Sequence, residues 1–215
     1  MPSSHLIPDY ETLSPYLLLR TLPELASNQV PENVRRACGQ TPLEAWRLLE
    51  EGVFFFFRTI LMLETVRLGA NSLFEREPEG IVLIDRDPDP FALIYECKAR
   101  RNGYAMSSDD TLRYRNYIKK KRQEVRARYH LRLTHFLIVS SSFGGDIGGR
   151  VTEIGYDGTN LCLIPAAHLT MVCNMVRPLP VSEIQLLELH QLFDRGLVTE
   201  EHVVSCLQDY CNGLS

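Results

Sequence analysis

Two apolar runs, IVLID (residues 81–85) and FALIYECKA (residues 91–99), are joined by RDPDP, a Pro/Asp stretch that turns a chain back on itself. No other feature constrains the fold as much, because two buried strands across so short a turn must form an antiparallel hairpin. The second run ends in Glu96-Cys97-Lys98. Alternation puts residues i and i+2 on one face of a strand, so Glu96 and Lys98 project side by side. Charged side chains are rarely buried unless they are paired or hold a metal. The motif therefore reads either as a structural ion pair or as the centre of a metal-dependent site.

Register bears on that choice. A turn centred between Asp87 and Pro88 sets residues whose numbers sum to 175 opposite one another, so Glu79 faces Glu96, Ile81 faces Ile94 and Leu83 faces Ala92. Glu79, Glu96 and Lys98 then share one face at the open end of the hairpin. Opposed Cβ atoms stand roughly 4.5–5.5 Å apart, close enough for two carboxylates to share a cation. Asp85 and Asp89 lie at the turn end, on the order of 20 Å away, too far to join them.

The chain has 215 residues, 45% hydrophobic and 23% charged, ordinary values for one globular domain with an appendage. Its first ten residues show neither a basic nor an apolar leader segment, so the expectation is a cytoplasmic protein. GVFFFFRTILML (residues 52–63) is too short to span a bilayer and is interrupted by Arg58, so no membrane association is expected. The six cysteines form no CxxC pair and read as reduced core thiols; the six histidines show no zinc spacing.

A net charge of −4 hides a strong asymmetry. Residues 98–132 hold twelve Lys/Arg against three acids, a local +9, which leaves about −13 for the rest of the chain. Basic residues beside a carboxylate hairpin suggest a polyanionic substrate, since phosphate contacts supply most nucleic-acid affinity. The plainer reading of a run such as Lys119–Lys120–Lys121–Arg122 is a solvated helix face.

Along the chain, a helix is expected near residues 12–26. A second runs from Thr41 as N-cap, with Pro42 and Glu44 behind it, to about Leu68, with Gly69 as its stop. The hairpin follows, then a loop, a basic helix over residues 109–129 and a buried strand over 135–143. GGDIGG (residues 144–149) reads as a flexible loop, because no GK[ST] follows it to make a phosphate loop. NLCLI (residues 160–164) is a short strand with a helix behind it, and helices from Ser182 and Thr199 close the chain. This order indicates an α/β domain with a central mixed sheet flanked by helices. Residues 1–41 form an N-terminal helical extension, and residues 42–215 the main domain.

Glu79 after Pro78, sixteen intervening residues and then Glu96-Cys97-Lys98 resembles the pattern of the PD-(D/E)xK nucleases, which have the restriction-endonuclease-like fold. The chain is most similar to the cleavage domain of FokI-type restriction endonucleases. ECKARRNGYAMSSDDTLRYRNYI, HFLIVSSSFGGD, TNLCLIPAAHL and DRGLVTEEHV each have a counterpart there in the same order, so the likeness covers roughly residues 43–207.

The resemblance implies a divalent-metal-dependent DNA endonuclease, the cleavage component of a type II, IIS-like restriction system. Glu79 and Glu96 would hold Mg²⁺, with Mn²⁺ as a substitute, and the Cys97 carbonyl would complete the metal shell. Lys98 would orient the attacking water and stabilise charge on the phosphate. Arg100, Arg101, Lys119, Lys120, Lys121 and Arg122 become candidate contacts to the backbone of double-stranded DNA. Asp109 and Arg113 stand where the family has an acid–arginine pair on its dimerisation helix, which implies a homodimer at least on DNA. An intrahelical i,i+4 pair is the simpler alternative for those two. Glu51 is weighed as an auxiliary acid against an ordinary surface carboxylate.

One position departs from the family. Glu79 replaces the usual aspartate, and its extra methylene matters to a cation as exacting as Mg²⁺. The alternative function is accordingly a weak or inactive pseudo-nuclease that binds DNA or serves as a subunit of a heteromeric restriction enzyme. A plain protein-interaction module would leave the basic segment and the Glu-Cys-Lys motif unexplained. Forty-one N-terminal residues are few for a recognition domain, so specificity is expected from a separate recognition subunit, the preferred reading, or from the N-terminal helices as a minimal reader.

Overall fold

A computed structural model of the chain describes residues 13–38, 43–68, 77–86, 89–155, 158–184, 187–193 and 196–212. Its strands in chain order are β1 (Glu64–Arg67), β2 (Gly80–Ile84), β3 (Phe91–Lys98), β4 (Tyr104–Ala105), β5 (Arg132–Ser140), β6 (Phe143–Gly144) and β7 (Asn160–Pro165). The helices are α1 (Pro15–Arg20), α2 (Leu22–Ala26), α3 (Glu32–Cys38), α4 (Ala45–Phe55), α5 (Ser108–Tyr129), α6 (Ile147–Gly155), α7 (Ala166–Val176), α8 (Val181–Ile184), α9 (Leu189–Phe193) and α10 (Glu200–Asn212). Among these residues no helix is long and apolar enough to cross a membrane.

Five strands form one mixed sheet in the order β1-β2-β3-β5-β7. β1, β2 and β3 are antiparallel, whereas β3, β5 and β7 run parallel through the crossovers that carry α5 and α6. The register of β2 against β3 agrees with the sequence: Gly80 faces Tyr95, Ile81 faces Ile94 and Leu83 faces Ala92, each pair summing to 175. The expected turn centre at Asp87 and Pro88 lies outside the described residues. Asp89 stands at the far end and pairs with Arg132, both exposed, well away from Glu96.

Alternation along β3 divides the core in two. Leu93, Tyr95 and Cys97 face one apolar layer, which includes Leu18, Leu22 and Leu25 of the N-terminal helices, Leu49 and Val53 of α4, and Leu169 and Val172 of α7. Ala92 and Ile94 face the other, with Tyr114, Ile118 and Val125 of α5. The result is a three-layer restriction-endonuclease-like fold with the sheet in the middle. The N-terminal helices share the first layer rather than standing apart from it.

Several boundaries differ from the sequence reading. The first helix is split into α1 and α2 at Thr21, just before Pro23. The long helix expected over 41–68 ends at Phe55, continues as a π-helical turn (Phe56–Ile60) and stops where Met62 turns left-handed with φ 52°. Residues 64–67 instead form edge strand β1 on β2. Tertiary pairing overrides a helix-compatible pattern here, because β2 would otherwise expose its backbone donors and acceptors. Thr41, Pro42 and Gly69 lie outside the described residues.

The buried strand expected over 135–143 is β5, which ends at Ser140. GGDIGG is not wholly loop either, since α6 begins inside it at Ile147. Asp146 caps that helix by accepting a 3.0 Å hydrogen bond from the Gly149 N–H. A Cβ at Gly149 would meet the Asp146 carboxylate at 2.2 Å, so the glycine keeps room for the cap. The helix expected from Ser182 appears as two short pieces, α8 and α9.

Candidate active site

The open end of the β2–β3 hairpin gathers carboxylates from three elements around one lysine. Glu96 is buried near the end of β3, and Glu79 immediately precedes β2. The Glu79 N–H donates to the Tyr95 carbonyl at 3.1 Å, which extends the hairpin ladder by one step and brings Glu79 alongside Glu96. Gly80 allows this approach: a Cβ there would lie 2.5–2.7 Å from the Tyr95 ring. Lys98, on the same face as Glu96, donates to Glu96 Oε1.

The third carboxylate is Glu50, which the sequence reading missed. It comes from α4 and lies close enough to Glu79, Glu96 and Lys98 for each of them to act on it electrostatically. Glu51, the residue weighed as an auxiliary acid, is neither near the site as a free acid nor an ordinary surface group. Both its oxygens are taken by Arg67, one at 2.6 Å, and the Arg67 guanidinium lies 3.8 Å from the centre of the Phe54 ring. The signal separating the two glutamates is β1 itself, which supplies Arg67 for Glu51 and leaves Glu50 for the hairpin end.

Three carboxylates and one ammonium cannot all be charged in a buried site without a further cation. Burial first, and then the negative Glu96 beside it, pushes Glu79 well above the ordinary carboxylate range. Burial and Glu96 push Glu50 up to about 7, against the opposing influence of Glu79 and Lys98. Burial, followed by the three carboxylates, also raises the Cys97 thiol, whose side chain points into the opposite core layer.

Among the described residues no three His, Cys, Asp or Glu side chains already form a metal-binding cluster. The donor set nevertheless fits a hard cation. Glu79 Oε2 and Glu96 Oε2 are both buried with no hydrogen-bond partner, two orphaned acceptors in one site. The other Glu96 oxygen accepts from Lys98.

The expected DNA contacts divide. Arg100 and Arg101 are exposed directly beyond Lys98, with the Arg100 backbone N–H held by the Ala26 carbonyl at 2.7 Å. Lys119 is exposed on α5. Lys121 is a correction: its side chain is 3% exposed and is fixed by Glu77 at 3.3 Å and Glu124 at 2.7 Å. It sits on the helical stripe Tyr114, Tyr117, Ile118, Lys121, Val125 that faces the sheet, a spacing already readable in the sequence. Lys120 pairs with Glu77 at 2.8 Å, and Arg122 donates to Thr159 Oγ1, so both are tied to the protein itself.

The acid–arginine pair on α5 also differs from expectation. Arg113 donates to Asp110 at 2.7 Å, while Asp109 is exposed. Asp110 is held in place by a capping box with Ser107, and this puts its carboxylate, rather than that of Asp109, beside the arginine.

A mixed sheet with acid, acid and lysine at the open end of its central hairpin defines the class of PD-(D/E)xK nuclease-like domains. The family model described as FokI, cleavage domain, matches residues 12–196, so the chain belongs to the FokI cleavage-domain family. That match includes the N-terminal helices. The fold is similar to the structure of restriction endonuclease FokI, with a TM-score of 0.56 and 20% identity over 71% of this chain and 28% of that one. It is also similar to restriction endonuclease FokI bound to DNA, with a TM-score of 0.59 and 19% identity over 83% of this chain and 30% of that one. The chain thus corresponds to less than a third of the length of either FokI chain. No curated protein matches by sequence.

Proposed function

We propose that this chain hydrolyses phosphodiester bonds of double-stranded DNA with Mg²⁺, or Mn²⁺ in its place, as the cleavage component of a IIS-like restriction system. The observation that carries this reading is the pair of buried, unpartnered oxygens, Glu79 Oε2 and Glu96 Oε2, in a cluster that also holds Glu50 and Lys98. A cation held by Glu79, Glu96 and the Cys97 carbonyl would supply charge neutralisation at the phosphate and a more acidic water.

The chain's own groups have separable tasks. Lys98 is held in place through Glu96 and can turn its ammonium to a phosphate oxygen and to the attacking water. Glu50 adds negative charge beside Glu79 and so affects how readily Glu79 becomes an anion. The longer Glu79 side chain, in place of aspartate, is accommodated beside Glu50 of α4. Arg100, Arg101 and Lys119 would hold the DNA backbone. The exposed start of α5, with Asp109 and a Leu112 that is 62% exposed, offers the surface for self-pairing on DNA. Arg113 would have to exchange Asp110 for a partner's acid. A separate recognition subunit would choose the target, and the five described cysteines, all free thiols, suit a cytoplasmic site of action.

Incubation with supercoiled plasmid separates this reading from the pseudo-nuclease alternative. Nicked or linear DNA should appear with Mg²⁺ or Mn²⁺ and not with chelator. Retained DNA binding without any nicking at high protein would favour the pseudo-nuclease.

A further inference from the structure

The chain's single tryptophan is not in the core. Trp46 is 42% exposed in the first turn of α4 and lines an open cleft of about 560 Å³ with Asn28, Gln29, Arg35 and Glu44. Nothing in the metal-site chemistry uses this cleft.

Its position relative to the carboxylate cluster follows from the topology. α4 leads through the π-helical turn to the start of β1, and Glu64 at that start lies opposite Leu83, near the turn end of the hairpin. The beginning of α4 is therefore at the other end, with Glu79 and Glu96. Trp46 and Glu50 are four residues apart, on the same face of the helix and about 6 Å apart along its axis. The second wall reaches the same end by a different route. Asn28 follows α2, whose last carbonyl, Ala26, binds the N–H of Arg100 two residues past Lys98. Two independent elements thus place the cleft at the same end of the sheet as the site.

The lining has the chemistry of a nucleotide subsite. Indole offers a π-face on which any base can stack, and the Arg47 guanidinium lies over this ring at 4.9 Å from its centre, so a base must take the opposite face or displace the arginine. Asn28 holds a left-handed turn (φ 59°) that stops α2, which fixes it and Gln29 at the rim, where their amides can bond base edges. Arg35 is anchored through Nε to the Val30 carbonyl at 3.0 Å. Glu44 is the opposing charge, and Arg47 neutralises it at 3.0 Å.

We propose that the cleft beside Trp46 takes an unstacked base of the DNA strand flanking the scissile phosphate, with the indole as its stacking platform and Asn28 and Gln29 at its edge. The proposal rests on the DNA-cleaving reading. It adds to that reading a contact made by the N-terminal segment of this chain itself.

One titration tests both separately, because Trp46 is the only indole emitter. A fluorescein-labelled duplex with a short single-stranded flank is titrated in Ca²⁺, which supports binding without turnover. Anisotropy reports binding, and tryptophan emission with acrylamide quenching reports the cleft. Binding accompanied by loss of emission and protection from acrylamide is expected. Trp46→Ala should weaken binding roughly ten-fold while Trp46→Phe keeps most of it, with both variants giving the wild-type circular dichroism. Binding by anisotropy with unchanged emission and quenching overturns the subsite and leaves the nuclease reading intact. Equal affinity of wild type and Trp46→Ala also overturns it. No binding at low salt removes the subsite together with the DNA-binding reading, which plasmid cleavage then judges on its own.

Discussion

Glu50 of α4 and Glu79 at the foot of β2 bring two carboxyl groups together in one buried site, and the proton affinity of both is raised. Two buried carboxyl groups side by side disfavour double ionisation. Burial and the negative Glu96 raise Glu79 well above the ordinary carboxylate range, so the site favours a protonated carboxyl there. Replacing Glu50 by Gln keeps a hydrogen-bonding group of the same shape and removes one negative charge. Cleavage and Mg²⁺ affinity should each fall about 10–100-fold, the usual cost of losing a group that supports a metal ligand. The Mg²⁺ concentration giving half-maximal cleavage is the measurement, and an unchanged value would remove Glu50 from the site.

The same crowding sets a pH dependence for the metal-free protein. Glu50 is raised from 4.5 to about 7 and Glu79 is raised as well, so the fold prefers the protonated forms. That stabilisation is complete below the ordinary value of 4.5 and is lost as pH rises through about 7. In chelator, the urea midpoint should fall between pH 5 and pH 8, by the equivalent of about 3 kcal/mol or less from Glu50. Mg²⁺ should restore stability at pH 8 and do little at pH 5, because only the ionised carboxylates bind it. A flat profile in chelator would contradict the charge crowding.

The basic segment divides into residues that hold the protein and residues that face outward. Arg100→Ala with Arg101→Ala should reduce the slope of log affinity against log salt by about 2, one per lost phosphate contact. Lys121→Met should leave that slope unchanged, since Lys121 is buried between Glu77 and Glu124. It should instead lower the unfolding midpoint, because it leaves Glu77 with a single partner.

Gly80→Ala tests how Glu79 is positioned. The new methyl would sit 2.5–2.7 Å from the Tyr95 ring, too close without movement of one strand. A loss of about 1–3 kcal/mol in stability is expected from such overpacking, with a larger proportional loss of cleavage as Glu79 shifts from Glu96. Equal activity at equal stability would show that the hairpin end tolerates displacement.

How much of this was legible depends on whether a contact is local or tertiary. The hairpin register could be read because apolar alternation and a short turn fix it without reference to the rest of the chain. β1 could not, because residues 64–67 continue a helix-compatible pattern and become a strand only by covering the edge of β2. The choice between Glu50 and Glu51 depends on β1, since Arg67 captures Glu51 only once that strand exists. Lys121 is different: its place on the apolar stripe of α5 was visible, and counting positive charge along the segment concealed it.

The most direct measurement of the central claim is the cleavage rate of wild type and Lys98→Ala on the same plasmid in saturating Mg²⁺, with DNA binding matched. If Lys98 stabilises charge at the phosphate, its loss should slow cleavage by about 10²–10³-fold with little change in DNA affinity. Equal rates in the two proteins, or no cleavage by wild type with either Mg²⁺ or Mn²⁺, would contradict the assignment of this carboxylate–lysine cluster as a catalytic site.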